Sequence, residues 1–333
     1  MEFAPRPWQP PADVGLVGPF AVNEDLRPAA LWDTTGVGPE DVAIDPAGRA
    51  VTGLRDGRIV QFDITGGRPE TIADVGGRPL GIEPAADGDG FVIANADLGL
   101  QRLTSDGRVE VLADRHRDRE FTLTNNAAVA RDGTIFFSVS SHRWPLSEYT
   151  ADILERSATG TLYRLDTSGE LDVLVDGLVF ANGVALSMDE RFVLVAELGS
   201  YRIHRVWLDG DRAGRTEIFC DNLPGFPDNL NLGNGLFWCA FPRTRDRLFD
   251  ATLARPRARA IIHRLPPRLQ PQASRHGFVV AFDDHGAVHA NFQDPTGRVA
   301  FTTTAIAHGR YLYVGSFIEP TLAVLTLPER LVR

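Results

Sequence analysis

The 333-residue chain contains no lysine, so all 34 of its basic residues are arginine. That excludes Schiff-base and lysine-base chemistry at once. Cysteine is nearly absent too. Cys220 and Cys239 fit neither a disulfide framework nor a zinc knuckle, and Cys239, in GLFWCA, reads as a small buried hydrophobe. No apolar run is long enough to span a bilayer. The start, MEFAPRPWQPPADVGL, is proline-rich and lacks a basic segment followed by an apolar one, so no secretory leader is expected. The expected localisation is cytoplasmic. The formal charge of −10 argues against nucleic acid and against anionic membrane surfaces as partners. GxSxG, Walker-type, GxGxxG and HExxH patterns are all missing. The DGDG at 87–90 lacks the spacing and terminal glutamate of a calcium-binding hand and reads as a hairpin turn.

What is present is a rhythm of short strands with glycine turns, and no segment of helical period dominates. Two signatures alternate. An inner one with a tight turn occurs as AIDPAGRAVTG, IEPAADGDGFVIAN, AVARDGTIFFSVS, ALSMDERFVLVAE, LNLGNGLFWCAF and AIAHGRYLYVGS. An outer hairpin occurs as LQRLTSDGRVEVL, LYRLDTSGELDVL, HRVWLDGDRAGRTEIF and VVAFDDHGAVHANF. Six units of roughly fifty residues suit propeller blades. The predicted fold is all-β: one six-bladed β-propeller over 1–333 with a central metal-binding channel. Pairing of a segment near 29–32 with a last-blade strand in TLAVLTL would close the ring and remove exposed sheet edges. An Arg/Pro-rich insertion at about 242–275 lies between the fifth and sixth units. It reads as a solvated rim segment or as a lid offering Phe249, Ile261 and Ile262 to a substrate.

Aligning the inner signatures puts Glu40, Arg78, Asn125, Asn182, Asp228 and about Thr302 at one repeat position. Equivalent positions of a circular repeat converge on its axis. Two carboxylates and two amide carbonyls around a common centre make a hard-cation site, most naturally for calcium. Singly, Asn125, Asn182 and Asp228 each read as a turn or strand-end residue that caps backbone groups. Together and in register, the four donors point to a metal.

The motifs GPEDVAIDPAG, DGRIVQFD, GLVFANGVALSMDERFVLVAE, RIHRVWLDG, LPGFPDNLN and HGRYLYVGS occur in order from about Gly38 onward. In them the chain resembles the strictosidine-synthase-like group of six-bladed propellers, relatives of gluconolactonases (senescence marker protein), paraoxonases and diisopropylfluorophosphatase. The resemblance implies metal ligands at Glu40, Asn125, Asn182 and Asp228, with Asp228 also the general base or nucleophile. Asn126 and Asn229 would be secondary contacts to substrate or metal. One departure matters. Alkaloid-forming members use a glutamate shortly before the last-blade turn, and here Thr303 stands in its place. A threonine is no proton acceptor at neutral pH, so iminium cyclisation is disfavoured.

The expected function is therefore hydrolysis of a small-molecule lactone or ester, dependent on Ca2+ or another divalent cation. The cation would polarise the carbonyl and activate a water, and Asp228 would take its proton. Two alternatives stay open: a binding propeller with a structural metal, and a bond-forming enzyme with a different acid or base. His142, in SSHRW, is a second catalytic candidate, or else a packed loop residue. Glu197 and Asn95 close equivalent strands and either line the channel or hydrogen-bond internally. Glu197 and Thr303 join Asn126 and Asn229 as candidate substrate contacts. Trp144, Phe226 and Phe317 serve as apolar walls or as core. The sequence leaves oligomeric state open.

Overall fold

The computed structural model describes residues 2–63, 66–266, 268 and 274–332. Six four-stranded antiparallel sheets surround a central axis. Their innermost strands are Val42–Ile44, Pro79–Pro84, Leu123–Val129, Ala181–Leu186, Leu230–Gly233 and Thr302–His308, which number the blades one to six. The blades follow one another in the chain, and within them most strands are joined to the next by a tight turn. At Asp45, for example, the carboxylate Oδ1 accepts from the amides of Ala47 and Arg49, at 2.9 and 2.8 Å. The N-terminal strand Ala30–Asp33 supplies the outer edge of blade six, pairing from Ala30 opposite Val324 to Asp33 opposite Thr321. The ring is thereby closed by the two ends of the chain, at the place the sequence pattern indicated.

Apolar clusters fill the wedges between neighbouring blades. Val42, Ala50, Val60, Tyr313 and Leu322 pack between blades one and six, and Leu194, Phe237, Cys239 and Phe282 between blades four and five. Cys239 is fully buried and free, as its strand context predicted.

The upper face carries a cap. The helix α1 (Tyr149–Glu155) lies between the second and third strands of blade three. The helices α2 (Arg247–Leu253) and α3 (Pro256–Arg264) lie between the second and third strands of blade five. The helical part of the 242–275 insertion is thus α2 and α3, while 267 and 269–273 fall outside the described residues. The N-terminal segment stitches the helices together: Arg6 N donates to Glu155 O at 2.9 Å and Trp8 N to Leu253 O at 3.0 Å. Arg259 is fully buried and its Nη1 donates to Leu154 O at 2.6 Å. Beneath them Trp8 and Phe249 pack with Leu80, Tyr201, Phe226 and Phe317. Of the insertion's apolar residues, Phe249 faces inward and Ile261 is 63% exposed.

Candidate functional site

The innermost strands do not start cleanly. Their pairing slips around Leu80, between Thr124 and Ala127, between Ala181 and Val184, and around Thr303. A β-bulge places two residues opposite one and re-aims a side chain out of the regular pleat. Asn125 and Asn182 both lie inside these bulges. In blades one and five, Glu40 and Asp228 stand two residues before the first paired residues, Val42 and Leu230. The bulges also correct the sequence alignment. They make Leu80, rather than Arg78, the counterpart in blade two, and put the blade-six counterpart, expected at about Thr302, at Thr303. An extra residue per strand is invisible to a pattern of alternating hydrophobicity.

Close approach at the axis requires glycine at two of these bulges. A Cβ on Gly183 would fall 2.2 Å from Leu230 N and 2.5 Å from Asp228 O. One on Gly81 would fall 2.7 Å from Asn126 Cα. Neighbouring inner strands therefore touch backbone to backbone, and Glu40, Asn125, Asn182 and Asp228, at the starts of four of them, are all nearly fully buried. Asn125 Oδ1, Asn182 Oδ1, Asp228 Oδ1 and Asn229 Oδ1 have no hydrogen-bond partner. Buried oxygens left in this state are costly unless something else satisfies them. Burial, then Asp228 and Asp41, push the Glu40 carboxyl well above its usual range, with Arg78 and Asn229 opposing. Asp228 is also pushed well up, by burial first and by Asp41, with a hydrogen bond from Asn182 opposing. Glu40, Asp41 and Asp228 thus repel one another in a buried region, with Arg78 the charged group that opposes this at Glu40. Among the described residues no three His, Cys, Asp or Glu side chains cluster. A cation here would depend on the amide oxygens, which suits a hard ion rather than a thiophilic one.

Two expected substrate contacts border this centre. Asn229 Nδ2 donates to Glu40 Oε2 at 3.0 Å, and its backbone N–H donates to Thr303 O at 2.9 Å. Thr303 Oγ1 donates to Glu40 O at 2.7 Å. Asn126 belongs to a layer beneath, centred on Asp41. Asp41 Oδ2 accepts from Asn126 Nδ2 at 3.0 Å and from Ile82 N at 3.2 Å. Asp41 Oδ1 accepts from Thr304 Oγ1 at 2.7 Å and from Val42 N at 2.9 Å. Asn231 Nδ2 donates to Thr304 Oγ1 at 2.8 Å, and Asn126 Oδ1 accepts from Val184 N at 2.7 Å. One carboxylate thus heads a network that touches all six blades. Sequence reasoning missed Asp41. The available signal was a doublet, since Glu40-Asp41, Asn125-Asn126 and Asp228-Asn229 all pair a donor with a second polar residue.

Other candidates lie elsewhere. His142 sits toward the outside of blade three, with Nδ1 2.8 Å from Glu120 O and Nε2 3.1 Å from Tyr163 Oη. Both ring nitrogens are engaged, and burial pushes the imidazole down to about 4. Glu197 is also removed from the quartet. Its Oε1 accepts from Val179 N and Ser200 Oγ, and its Oε2 from Arg202 Nε at 2.6 Å and His204 Nε2 at 2.7 Å. Burial alone would raise this carboxyl, but these donors hold it down at about 2. It clamps the second strand of blade four to the third. Asn95 anchors the backbone entering blade two, where its Oδ1 accepts from Arg78 N at 3.1 Å. Trp144 is buried against Glu155, away from the axis. Phe226 and Phe317 belong to the apolar floor of the cap. Tyr149, at the start of α1, stands over the centre, stacked edge-on with Phe317 at 5.8 Å. Burial, and next Asp228, push its phenol upward.

Comparison with known proteins places this geometry in a family. Residues 18–62 match the family model described as strictosidine synthase-like, N-terminal, and residues 125–211 the one described as strictosidine synthase. The rat adipocyte plasma membrane-associated protein is 33% identical, over 96% of this chain and 90% of that protein. Its human counterpart is 34% identical, over 96% and 82%. Strictosidine synthase-like 10 of Arabidopsis thaliana is 31% identical, over 94% and 92%. Among solved structures, a gluconolactonase from Xanthomonas campestris superposes with a TM-score of 0.64 at 19% identity, covering 90% of each chain. A calcium-binding regucalcin from Agrobacterium tumefaciens gives 0.60 at 16% identity, covering 88% of this chain and 90% of that one. These two show the shared propeller fold. The relatives' names overturn the cytoplasmic expectation, because proteins matching 96% of the chain are named as plasma membrane-associated. That expectation rested on a missing leader and a missing apolar span. Among the described residues no helix is long and apolar enough to cross a membrane, but such an absence does not locate a protein. Relatives above 30% identity along nearly the whole length show that this chain belongs to the strictosidine synthase-like family of six-bladed propellers.

Proposed function

We propose that the chain is a divalent-cation-dependent hydrolase of esters or lactones, centred on Glu40, Asn125, Asn182 and Asp228. The observation that carries this reading is that Asn125 Oδ1, Asn182 Oδ1 and Asp228 Oδ1, at matching points of three inner strands, are buried without hydrogen-bond partners, while Glu40 lies near enough to Asp228 for the two carboxyls to repel. These residues would hold a hard cation such as calcium, which supplies positive charge for the oxygen that becomes anionic in acyl transfer. With a bound cation offsetting the burial that raises its carboxyl, Asp228 would take a proton from the attacking water as its oxygen bonds to the acyl carbon. The C–O bond to the leaving alcohol then breaks, and the same proton passes to the departing oxygen. Asn229 helps position the water. Its Nδ2 is committed to Glu40, so its free Oδ1 can accept a hydrogen bond from it. The cap formed by α1, α2, α3 and the N-terminal segment excludes bulk water from the step. Thr303 supports hydrolysis over condensation, since its hydroxyl is spent on Glu40 O and offers no proton acceptor.

The test joins metal analysis of the purified protein to turnover of a panel of aliphatic lactones and aryl esters. EDTA treatment is expected to abolish turnover, and calcium to restore it. Asp228→Asn is expected to lower kcat by about a thousandfold or more while remaining folded. Full activity after chelation would remove the cation from the reaction, an Asp228→Asn variant as fast as the native protein would remove Asp228 as the base, and a calcium-loaded native protein that turns over no member of the panel would remove the hydrolytic reading.

A further inference from the structure

Arg78 is only 4% exposed, and its Nε, Nη1 and Nη2 all lack a hydrogen-bond partner. Among the described residues no other arginine has all three nitrogens buried and unsatisfied. The other deeply buried guanidiniums are each held by hydrogen bonds: Arg156 donates to Ser200 Oγ, Arg245 to Asp250 and Arg259, through its Nη1, to Leu154 O. A buried cation without a partner costs several kcal/mol and persists where something else meets it.

Its surroundings show where that partner would be. The guanidinium is 5.7 Å from the centre of the Phe317 ring and lies against the chain leading to Glu40, where a Cβ on Gly38 would fall 2.8 Å from Nη2. Glu40 acts on it through space but forms no ion pair within 4.0 Å, and Glu40 Oε2 is already held by Asn229. Arg55 reaches the same ring at 5.7 Å from the other strand of approach and donates to Phe317 O at 3.2 Å. The backbone of Arg78 is fixed on both sides, its N–H donating to Asn95 Oδ1 at 3.1 Å and its carbonyl accepting from Ala96 N at 2.8 Å. A rigidly mounted, dry guanidinium beside the reaction centre presents a two-pronged donor face that matches a carboxylate. Burial pulls Arg78 down to about 10, which leaves it charged at neutral pH.

We infer that Arg78 is the receptor for a carboxylate carried by the substrate, so the substrate class is esters or lactones of dicarboxylic or otherwise acid-bearing compounds. The inference rests on the hydrolytic reading for the reaction, but not for the binding. Glutarate and two phenyl esters separate the two. The esters are the phenyl half-ester of glutaric acid, with a free carboxylate, and its neutral half-amide analogue. The native protein should cleave the charged ester with a kcat/KM about 10–100-fold above the neutral one, the gain expected of a charge-assisted hydrogen bond. Arg78→Gln should bring that ratio close to one, mainly through KM, and Arg78→Lys should restore part of it. Calorimetry should detect glutarate binding to the native protein and not to Arg78→Gln. Glutarate binding that needs Arg78, with neither ester cleaved, would sustain the receptor and remove the hydrolytic reading. A native protein that binds no glutarate and cleaves both esters equally well overturns the receptor, whatever the variants do, and leaves hydrolysis standing.

Discussion

Replacing Asp41 with alanine probes the centre of the fold more directly than any change in the apolar wedges. Its carboxylate accepts from Thr304 Oγ1, Val42 N, Asn126 Nδ2 and Ile82 N at 2.7–3.2 Å. Hydrogen bonds to a charged group contribute about 1.5–3 kcal/mol each, so the gross loss is roughly 6–12 kcal/mol. Against this stands the cost of burying the carboxylate, which raises the Asp41 pKa and amounts to several kcal/mol. A water in the vacated polar space recovers a further part. The net expectation is a loss of about 4 kcal/mol, above the common range for single substitutions. Asp41→Asn should cost about half as much. Its amide nitrogen must face a donor on one side, and Asn126 cannot turn over because its Oδ1 holds Val184 N. Urea unfolding at neutral pH, with the slope m unchanged, is the measurement. A loss under about 1 kcal/mol for Asp41→Ala would refute the claim that this network ties the six blades together.

Two further outcomes follow from the same geometry. Gly183→Ala drives a Cβ into the backbone of Leu230 and Asp228, which cannot swing aside as a side chain could. It should cost about 3 kcal/mol in urea unfolding and weaken calcium binding measured by calorimetry, and a neutral substitution would count against backbone contact at the axis. Acid should act through His142 and Glu197. The imidazole, lowered to about 4, contributes stability that is full above its unfolded value near 6.5 and is lost as pH falls toward 4. The carboxyl, held at about 2, contributes stability that is full above about 4.5 and is lost as pH falls toward 2, on the order of 3 kcal/mol. A pH series of unfolding midpoints should therefore decline in two stages below about 6.5. Glu197→Gln should remove the lower one, and a variant that retains it would show the clamp to be unimportant.

The architecture was legible because each blade repeats one message: inner strand, tight turn, outer hairpin. The closing strand was legible for the same reason, since an unpaired N-terminal segment and a last blade one strand short complement each other. The candidate quartet came from register, which works while the repeats align residue for residue. It failed in blade two, where alignment chose Arg78 and the bulge places Leu80. His142 and Glu197 were misread because strand ends next to a channel look alike in sequence whether a side chain turns inward or along its own blade. In the structure each is consumed by neighbours contributed from other strands, Tyr163 for one and Arg202 with His204 for the other.

By itself, the sequence determined the strand rhythm, the closure of the ring, the absence of lysine chemistry and the set of oxygen donors, all of which are local patterns or composition. Tertiary structure alone decided which donors remain unsatisfied, that Asp41 joins six blades, and that Arg78 stands buried with no hydrogen-bond partner among the described residues. The physical reason is that satisfaction of a polar group depends on atoms far away in sequence. Asp41 and Thr304 are 263 residues apart, yet their oxygens lie at 2.7 Å.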